Sequence, residues 1–497
     1  MANDVIIVKG AGGLGRQPTS QDHIAGLALY SDAVPTGYAS TKVHNIFSIE
    51  QAEALGVTDN SLDATAATGT TQQTLIGAEG DKITVTVDGL LIGTATVPGT
   101  PTVDSQAVAI ATAINDGQYE TGYTAVAVTD TVTITAPKNK GLGINTIVPV
   151  VAHTGAGTST EVAFSGGVGS EIDVMHYHVS EYFRMNPNGN LYLGIFVEPV
   201  SLDFQEVSDM QTVTANGEIR QCGVYQIKDV YSATQVNLLQ GVYDALYALH
   251  QPMQIILQAE ISGTADISTL TTLQALDDEN VSVVIAQDGN NLGNDLYVAL
   301  GKSVGSVGTF LGKVSAIPVQ RSPGQVSDGN LATGTELQVP AYANGTLLRS
   351  IPKNQQTNLA VSKSYTAFTT YIGATGTYWQ DSPTAVVATS DYHFIQNNRV
   401  IDKAGRDVRT ALLPLLMSDL VVNDDGTLVI QTINTFTTAA SSALQGMQTA
   451  LEISSFKVTV DPEQNVISTS VIEVSCIIVP IGTAREIRVP LSFALNI

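Results

Sequence analysis

The chain has 497 residues, only 14% of them charged, and its 46 acidic and 22 basic residues give a formal net charge of −24. This acidic balance excludes the basic surface that nucleic acid binding needs. No apolar run approaches the roughly 18 residues of a membrane-spanning helix, and Met1-Ala-Asn-Asp-Val lacks the basic start of a secretion signal. We therefore expect neither nucleic acid binding nor direct membrane insertion.

The length predicts roughly two to four domains, each large enough for its own core. A charged fraction well below the usual ~25% indicates that other molecules cover much of the surface. The alternative is a surface rich in Thr, Ser and Gly. Cys222 and Cys476 lie far apart and match no metal or redox spacing. They are predicted to be free thiols, made in a reducing compartment.

The first 57 residues predict an arm followed by the start of a domain. Residues 1–20 are the N-terminal arm, in which a short apolar strand precedes a glycine-rich stretch. The strand residues are Val5, Ile6, Ile7 and Val8. Residues 21–57 add short strands and a helix at residues 49–55, with Ser48 in the capping position.

Residues 58–170 predict a small β-rich domain inserted into a larger one. Two hairpins are indicated, one turning at Asp88-Gly89 and one after Val128, with a helix at residues 105–115 between them. The flanking stretches, residues 65–77 and 154–169, are of low complexity and are predicted to be linkers.

Residues 171–359, together with 21–57, predict an α/β core. Continuous apolar strands at residues 191–197, 253–257 and 281–286 alternate with helices. The predicted helices are residues 234–248, 268–276 and 295–311. Such strands form a mostly parallel sheet that is covered on both faces.

Residues 360–484 predict a C-terminal α+β domain. It has a helix at residues 392–416 that ends or kinks near Pro414, a second helix at 436–452, and a hairpin within 456–479. The predicted fold class is therefore α/β and α+β multidomain.

The last 13 residues, 485–497, form a C-terminal strand arm. Every second residue is apolar, which predicts a strand with one buried face. These residues are Ile487, Val489, Leu491, Phe493, Leu495 and Ile497. Pro490 cannot donate to a sheet ladder, which indicates an edge position or an interrupted pairing. The sheet that receives this strand belongs either to the same chain or to a neighbouring copy.

Two glycine motifs are typical of nucleotide or nucleophile loops, but their context is poor. Gly10-Ala-Gly-Gly-Leu-Gly15 matches G-x-G-x-x-G, yet Pro18 stands where the helix should build. Gly301-Lys-Ser-Val-Gly305 resembles a nucleophile elbow around Ser303 and the end of a phosphate loop. It follows a predicted helix instead of a strand, and a structural role is favoured.

His176 and His178 are two residues apart on a predicted strand, and Glu181 and His153 are further candidate metal ligands. A metal site needs three or four converging groups, and no such pattern is evident. A polar strand face is favoured. We predict no catalytic residues, no metal, no cofactor and no enzymatic activity.

Residues 399–409 hold four of the 22 cationic residues. They are Arg399, Lys403, Arg406 and Arg409, on one predicted helix. One interpretation is a solvated helix face with internal ion pairs. The other is a contact stripe for an acidic partner surface.

Three stretches resemble phage tail sheath proteins, the outer contractile tube of myovirus tails and related injection systems. The first is Tyr378-Trp-Gln-Asp-Ser-Pro with Ser390-Asp-Tyr-His-Phe-Ile-Gln-Asn-Asn-Arg399 and its helix. The second is the closing hairpin with the terminal strand, residues 456–497. The third, residues 131–145, is similar to the inserted domains of Mu-like sheaths. The order of arm, insertion, core and C-terminal domain extends the resemblance over nearly the whole chain.

The resemblance implies a non-enzymatic subunit that polymerises as stacked six-fold rings around an inner tail tube protein. Contraction, by rigid-body rearrangement of subunits, would drive the tube through a bacterial envelope. Baseplate and tail terminator proteins would be further partners, and the protein would be part of a virion tail assembled in the host cytoplasm. Both arms would add strands to sheets of adjacent subunits, and the four cations of residues 399–409 would face the tube. The alternatives are a surface-layer or adhesin-type subunit, and an enzyme built on the α/β core.

Overall fold

The computed structural model describes residues 21–214 and 217–493. The predicted N-terminal strand, residues 5–8, and the glycine motif at residues 10–15 lie outside these ranges, as do Leu495 and Ile497. The first elements are β1 (Ile24–Ser31), β2 (Val43–Ile46) and α1 (Ile49–Ala54). Helix α1 forms where the sequence predicted it, with Ser48 as its N-cap residue.

The predicted insertion contains two antiparallel sheets around a core of their own. Its elements are β3 (Thr68–Leu75), β4 (Lys82–Val87), β5 (Leu90–Thr96), α2 (Val103–Asp116), α3 (Gln118–Thr121), β6 (Thr124–Val128), β7 (Thr131–Thr135), β8 (Val150–His153) and β9 (Thr158–Ser165). The strand orders are β6-β7-β3-β9 and β5-β4-β8. Ile110 and Ile114 of α2 are buried with Ile83 and Phe164, so the helix and both sheets share one core.

The two stretches predicted to be linkers are instead strands, and this prediction was wrong. Residues 68–75 form β3 and residues 158–165 form β9, and the two strands pair with each other. Their low-complexity composition is rich in threonine, which is β-branched and suits a half-buried pleated sheet.

A seven-stranded sheet forms the centre of the molecule. The elements that follow the insertion are α4 (Glu171–Met185), β10 (Asn190–Val197), α5 (Gln205–Val213), β11 (Gln221–Tyr225), α6 (Ala233–Ala248), β12 (Gln254–Gln258), β13 (Val281–Val284), β14 (Ala286–Asp288), α7 (Leu292–Leu300), α8 (Val307–Ala316), β15 (Pro340–Tyr342), α9 (Lys353–Thr357) and β16 (Tyr365–Thr366). The strand order is β16-β13-β12-β11-β1-β10-β2. All neighbouring strands are parallel except β2, which is antiparallel to β10. The predicted α/β class is confirmed.

Helices cover both faces of this sheet. Met210 of α5 and Leu239 of α6 belong to the core on one face, and Tyr182 of α4 and Phe310 of α8 to the core on the other. Helices α4 and α8 approach closely because Gly308 and Gly312 face backbone atoms of His178 and Tyr182, where a side chain would collide.

Two predicted helices differ in the structure. Residues 268–276 contain only a 3₁₀ turn, Ile267–Thr269, because the side chain of Lys363 takes the carbonyls of Ser268 and Leu270 as acceptors. The predicted helix at 295–311 is two helices, α7 and α8. Gly301 and Gly305 between them have φ of 67° and 71°, a region that favours glycine.

The rest of the chain forms β17 (Phe368–Tyr371), β18 (Ala374–Trp379), α10 (Ile395–Leu412), α11 (Ile430–Thr449), β19 (Ile453–Thr459), α12 (Val466–Thr469) and β20 (Ser475–Pro480). Strand β16 belongs to the central sheet, and Trp379 packs against Phe310 at a ring distance of 4.8 Å. The α/β unit therefore continues past residue 359, where we predicted a domain border. Helix α11 and the β19–β20 hairpin share a separate small core with α10, around Leu444 and Ile453.

Glu198 follows β10 at the carboxyl edge of the central sheet and accepts a hydrogen bond from the Lys228 N–H at 3.1 Å. Burial raises its pKa from the ordinary 4.5 to about 7. Because the folded chain holds this proton more tightly than the unfolded chain, stability falls as the pH rises between these two values.

We predict that Glu198→Gln removes this loss. The contribution is on the order of 1 kcal/mol, or about 2 °C in Tm for a domain of this size. The Tm of the variant minus the Tm of the unmodified chain should be about 2 °C higher at pH 8 than at pH 5. The exposed Glu79→Gln is the control. An equal Tm difference at both pH values would contradict the assignment.

Candidate assembly surface

The terminal segment, residues 481–493, forms no strand in the described part of the chain. Its alternating apolar side chains are exposed, with Ile487 at 80%, Val489 at 69%, Leu491 at 91% and Phe493 at 108% of full exposure. Of the two sheets that could receive the strand, the chain's own hairpin is therefore not used by these residues. So much exposed apolar surface in one short segment is typical of a site that another molecule covers.

A local anchor holds the root of this segment. The Arg485 Nε donates to the Asp381 carboxylate at 2.6 Å, and the guanidinium carbon lies 3.4 Å from the centre of the Phe394 ring. A charged hydrogen bond and a cation–π contact thus fix the point where the segment leaves the body.

The β19–β20 hairpin offers free strand edges. Among the described residues its two strands pair only with each other. Phe456, Val458 and Ile478 turn towards the core beneath the hairpin, while Ile477 and Val479 are exposed on its other face. Unpaired backbone N–H and C=O groups at such an edge can bind a further strand.

The basic residues of α10 do not form one exposed stripe. Arg399 is only 4% exposed, and its guanidinium donates to the carbonyls of Ile317 and Pro318. Burial lowers its pKa to about 10. Arg409 is exposed. The candidate tube-facing residues thus point into different environments.

Lys403 and Arg406 are joined to carboxylates of other elements. The Lys403 ammonium lies 2.7 Å from Asp22 and 2.6 Å from Glu452, and Arg406 lies 2.9 Å from Asp22. Burial alone would raise the pKa of Asp22, but the Lys403 hydrogen bond and nearby cations lower it below its ordinary value. This ion cluster links the start of β1 to α10 and to the residue before β19. Of the two interpretations of the basic residues, internal ion pairing therefore applies to Lys403 and Arg406.

The Ser303 loop is closed by its own chain. Ser303 is buried, donates to the Ala343 carbonyl at 2.6 Å and accepts from the Ile261 N–H at 2.9 Å. Glu260 binds the Ser303 N–H, and Gln287 binds the N–H groups of Val304 and Gly305. The donors that a phosphate or an oxyanion would need are therefore occupied, so the geometry favours a structural loop.

The histidine prediction was wrong about the element, because His176 and His178 lie on helix α4. His176 contacts Glu53 at 3.0 Å, while burial lowers the pKa of His178 to about 3. His153 lies in the inserted unit and Glu181 pairs with Arg184. Within residues 21–214 and 217–493, no group of three ligating side chains converges on a metal position. In the same ranges, no helix is both long and apolar enough to cross a membrane.

Sequence reasoning missed both ionic contacts that organise this region. Asp22 and its partner Arg406 are 384 residues apart, and Asp381 and Arg485 are 104 apart. A single charged residue has no periodicity, so no sequence signal identifies its distant partner.

We predict that Lys403→Met destabilises the contact between β1 and α10. Removing this cation leaves Glu452 without its ion pair and weakens the pairing of Asp22, both largely buried, at a cost of about 3 kcal/mol. Hydrogen exchange of the α10 amides should accelerate accordingly. Arg409→Met, on the exposed side of the same helix, should change stability by less than about 0.5 kcal/mol. Equal effects of the two variants would contradict an internal role for Lys403.

We also predict that Arg485→Ala frees the root of the terminal segment. Loss of the Asp381 and Phe394 contacts should raise the rate of limited proteolysis within residues 481–493 severalfold, with little change in Tm. Arg488→Ala is the matched control, because Arg488 contacts the neighbouring Glu486 and not the body. Identical cleavage rates in both variants would show that Arg485 is no anchor.

The solved structures to which this chain is similar include chains of contractile injection systems. A chain of the six-fold symmetrised anti-feeding prophage (AFP) baseplate matches 64% of this chain and 80% of its own, at 14% identity and a TM-score of 0.44. A chain of the contracted PVC sheath complex, from an extracellular contractile injection system, matches 65% of this chain and 81% of its own, at 12% identity and a TM-score of 0.43. A chain of the AFP baseplate in its contracted state matches 65% of this chain and 85% of its own, at 13% identity and a TM-score of 0.38. With TM-scores below 0.5, this likeness carries no argument about what the chain does.

A comparison with curated proteins finds no match. Two family models do match, and they divide the chain near residue 390. The DUF2586 N-terminal domain model matches residues 2–383, and the DUF2586 C-terminal domain model matches residues 391–497. By these matches the chain belongs to the DUF2586 family.

Proposed function

We propose that this protein is the sheath subunit of a contractile tail or injection system. Copies polymerise as stacked six-fold rings around an inner tube, and the sheath contracts to drive the tube through a bacterial envelope. The inner tube, baseplate and tail terminator proteins are its partners, and the virion tail, assembled in the host cytoplasm, is its location. It works as a structural protein without cofactors.

The observation that carries this proposal is the exposed terminal segment. Four alternating apolar side chains, at residues 487–493, are exposed to solvent one after another along a single short segment. Arg485 holds their root, so the segment has a defined starting point. The free edges of the β19–β20 hairpin in another copy supply what the segment lacks, namely backbone partners and an apolar cover.

Self-association through this segment agrees with the charge of the chain. Copies with a net charge of −24 repel each other at long range. Backbone hydrogen bonds and apolar contacts do not depend on opposite charges, so a strand exchanged between copies holds despite this repulsion. A strand linkage also tolerates rotation of the linked bodies, as contraction requires.

The tube-facing role of residues 399–409 rests mainly on Arg409. Arg399, Lys403 and Arg406 are engaged within the chain, while the Arg409 side chain is exposed and free to meet an acidic tube surface. The contacts of Arg399, Lys403 and Arg406 within the chain hold helix α10 in place, and α10 carries Arg409 on its exposed side.

Two other functions remain in competition. A surface-layer or adhesin-type subunit would also use an exchanged strand, but it would assemble as a flat lattice or a fibre. An enzyme on the α/β core is disfavoured by Ser303, whose hydroxyl is buried and hydrogen-bonded on both sides.

The test is polymer formation by the full chain and by a chain that ends at Arg485. We predict that the full chain forms hollow tubes or stacked rings in negative-stain electron microscopy, and that the shortened chain stays a folded monomer. The physical reason is that only the missing segment brings the donated strand. Flat lattices from the full chain would favour the surface-layer alternative, and normal tubes from the shortened chain would refute the role of the segment.

Point variants separate the apolar face from mere length. Leu491→Asp with Phe493→Asp places charge on the face to be buried and should prevent polymerisation. Ser492→Asp, on the other face of the same strand, should leave it intact. Because these side chains are exposed in the single chain, all variants should keep the Tm of the unmodified chain.

A further inference from the structure

The four-stranded sheet of the insertion turns an uncharged face to solvent. In its central row Val126 is paired with Thr133, Thr133 with Thr70, and Thr70 with Val162. The next row contains Val128 paired with Thr131. Val126, Val128 and Val162 are 58–65% exposed. We call these six residues the threonine face.

The three-stranded sheet of the same unit has a second outward face whose centre is uncharged. Thr86 is paired with Leu91 and Val150, and Thr84 with Thr94 and Ala152. Leu91 and Val150 are 52% and 61% exposed. We call these six residues the leucine face. Since both sheets bury their inner sides in one shared core, the two faces look outward in different directions.

The absence of charge from the centres of both faces is a matter of placement, not of composition. Residues 58–170 include ten acidic and three basic residues. Most of them lie at turns or on helices, as do Asp88 and Asp130 in the β4–β5 and β6–β7 turns and Asp104 in the first turn of α2. Two lie in strands. Glu161 of β9 is on the opposite side of its sheet from Val162, and Lys82, the first residue of β4, lies at the rim of the leucine face and donates to Thr96. An uncharged centre inside a charged rim is the usual composition of a protein interface.

We propose that the inserted unit links neighbouring copies head to tail, with the threonine face of one copy packed on the leucine face of the next. Two copies of an acidic chain meet at least electrostatic cost where the centres of the facing surfaces carry no charge. A pairing of two different faces repeats indefinitely or closes a ring, whereas a face that pairs with itself stops at two copies. The contact joins two sheets about 10 Å apart. It goes beyond the proposed function, which assigns assembly to the terminal segment.

Cross-linking of the full chain tests the contact. All variants carry Cys476→Ser, so that the remaining native thiol is Cys222, which is buried and whose pKa burial raises to about 12. Thr133→Cys and Thr84→Cys then place one thiol on each face of the same chain. A short thiol-to-thiol reagent should give a ladder of covalent dimers, trimers and longer products. Each single substitution should give none.

The matched control combines Thr84→Cys with Val108→Cys. Val108 is 55% exposed on α2, away from both faces, and this pair should give at least tenfold less product. Adding Val126→Lys or Leu91→Lys to the double-cysteine chain should suppress the ladder, because each places a charge in the contact. Circular dichroism melting curves of all variants check that the fold is kept.

Three results would overturn the proposal: no ladder from the double-cysteine chain, a ladder equal to that of the Val108 control, or dimers from Thr133→Cys alone, which indicate a self-paired face. The test is separate from that of the proposed function. Tubes without a ladder refute only the contact between inserted units. A ladder from a chain that forms no tubes supports this contact and refutes the sheath role.

Discussion

Strand β1 is buried along all eight of its residues, and the arrangement of the α/β unit depends on this burial. β10 and β11 flank it in parallel, and helices pack against both sides of the sheet. Asp22, two residues before this strand, is itself buried and holds Lys403 and Arg406 of α10. Helix α10 is therefore fixed to the start of β1, and the hairpin that packs against α10 is positioned by the same contact.

Charge is scarce in this chain, and several of its cations are engaged internally. Arg399, Lys403 and Arg406 bind carbonyls or carboxylates of the same chain, and Arg485 binds Asp381. The surfaces proposed for assembly are largely uncharged: an alternating apolar segment, the edges of a hairpin, and the centres of two outward sheet faces. For a strongly acidic protein, surfaces of this kind permit contact between identical copies, because they add no like-charge repulsion.

The two proposed assembly surfaces would also differ in how they constrain motion. A strand added to a sheet edge is held by backbone hydrogen bonds and leaves its flexible connection free, so the bodies it joins keep rotational freedom. A contact between sheet faces has a preferred orientation and limits rotation. A protein with both has one linkage that persists and one whose geometry changes when subunits rearrange.

Periodicity in the sequence determined much of the local structure. The parallel strands at residues 191–197 and 253–257 are continuous apolar runs. The hairpin at Asp88-Gly89 is marked by a turn that needs positive φ at both residues. The alternation of apolar residues from Ile487 onward is visible in the sequence itself. These features depend on neighbours in sequence. The sequence also predicted the terminal segment as the principal assembly element, since no catalytic pattern competed with it.

Only the tertiary structure decided features that depend on distant partners. β3 and β9 were mistaken for linkers because each is ordered by pairing with the other. Residues 268–276 failed to form a helix because Lys363 binds two of their carbonyls. The basic residues of α10 looked like one stripe, yet Asp22 and Glu452 bind two of them. Charge contacts and strand pairings between residues far apart in the chain leave no periodic trace, so folding alone brings these residues together and thereby determines which surfaces remain exposed.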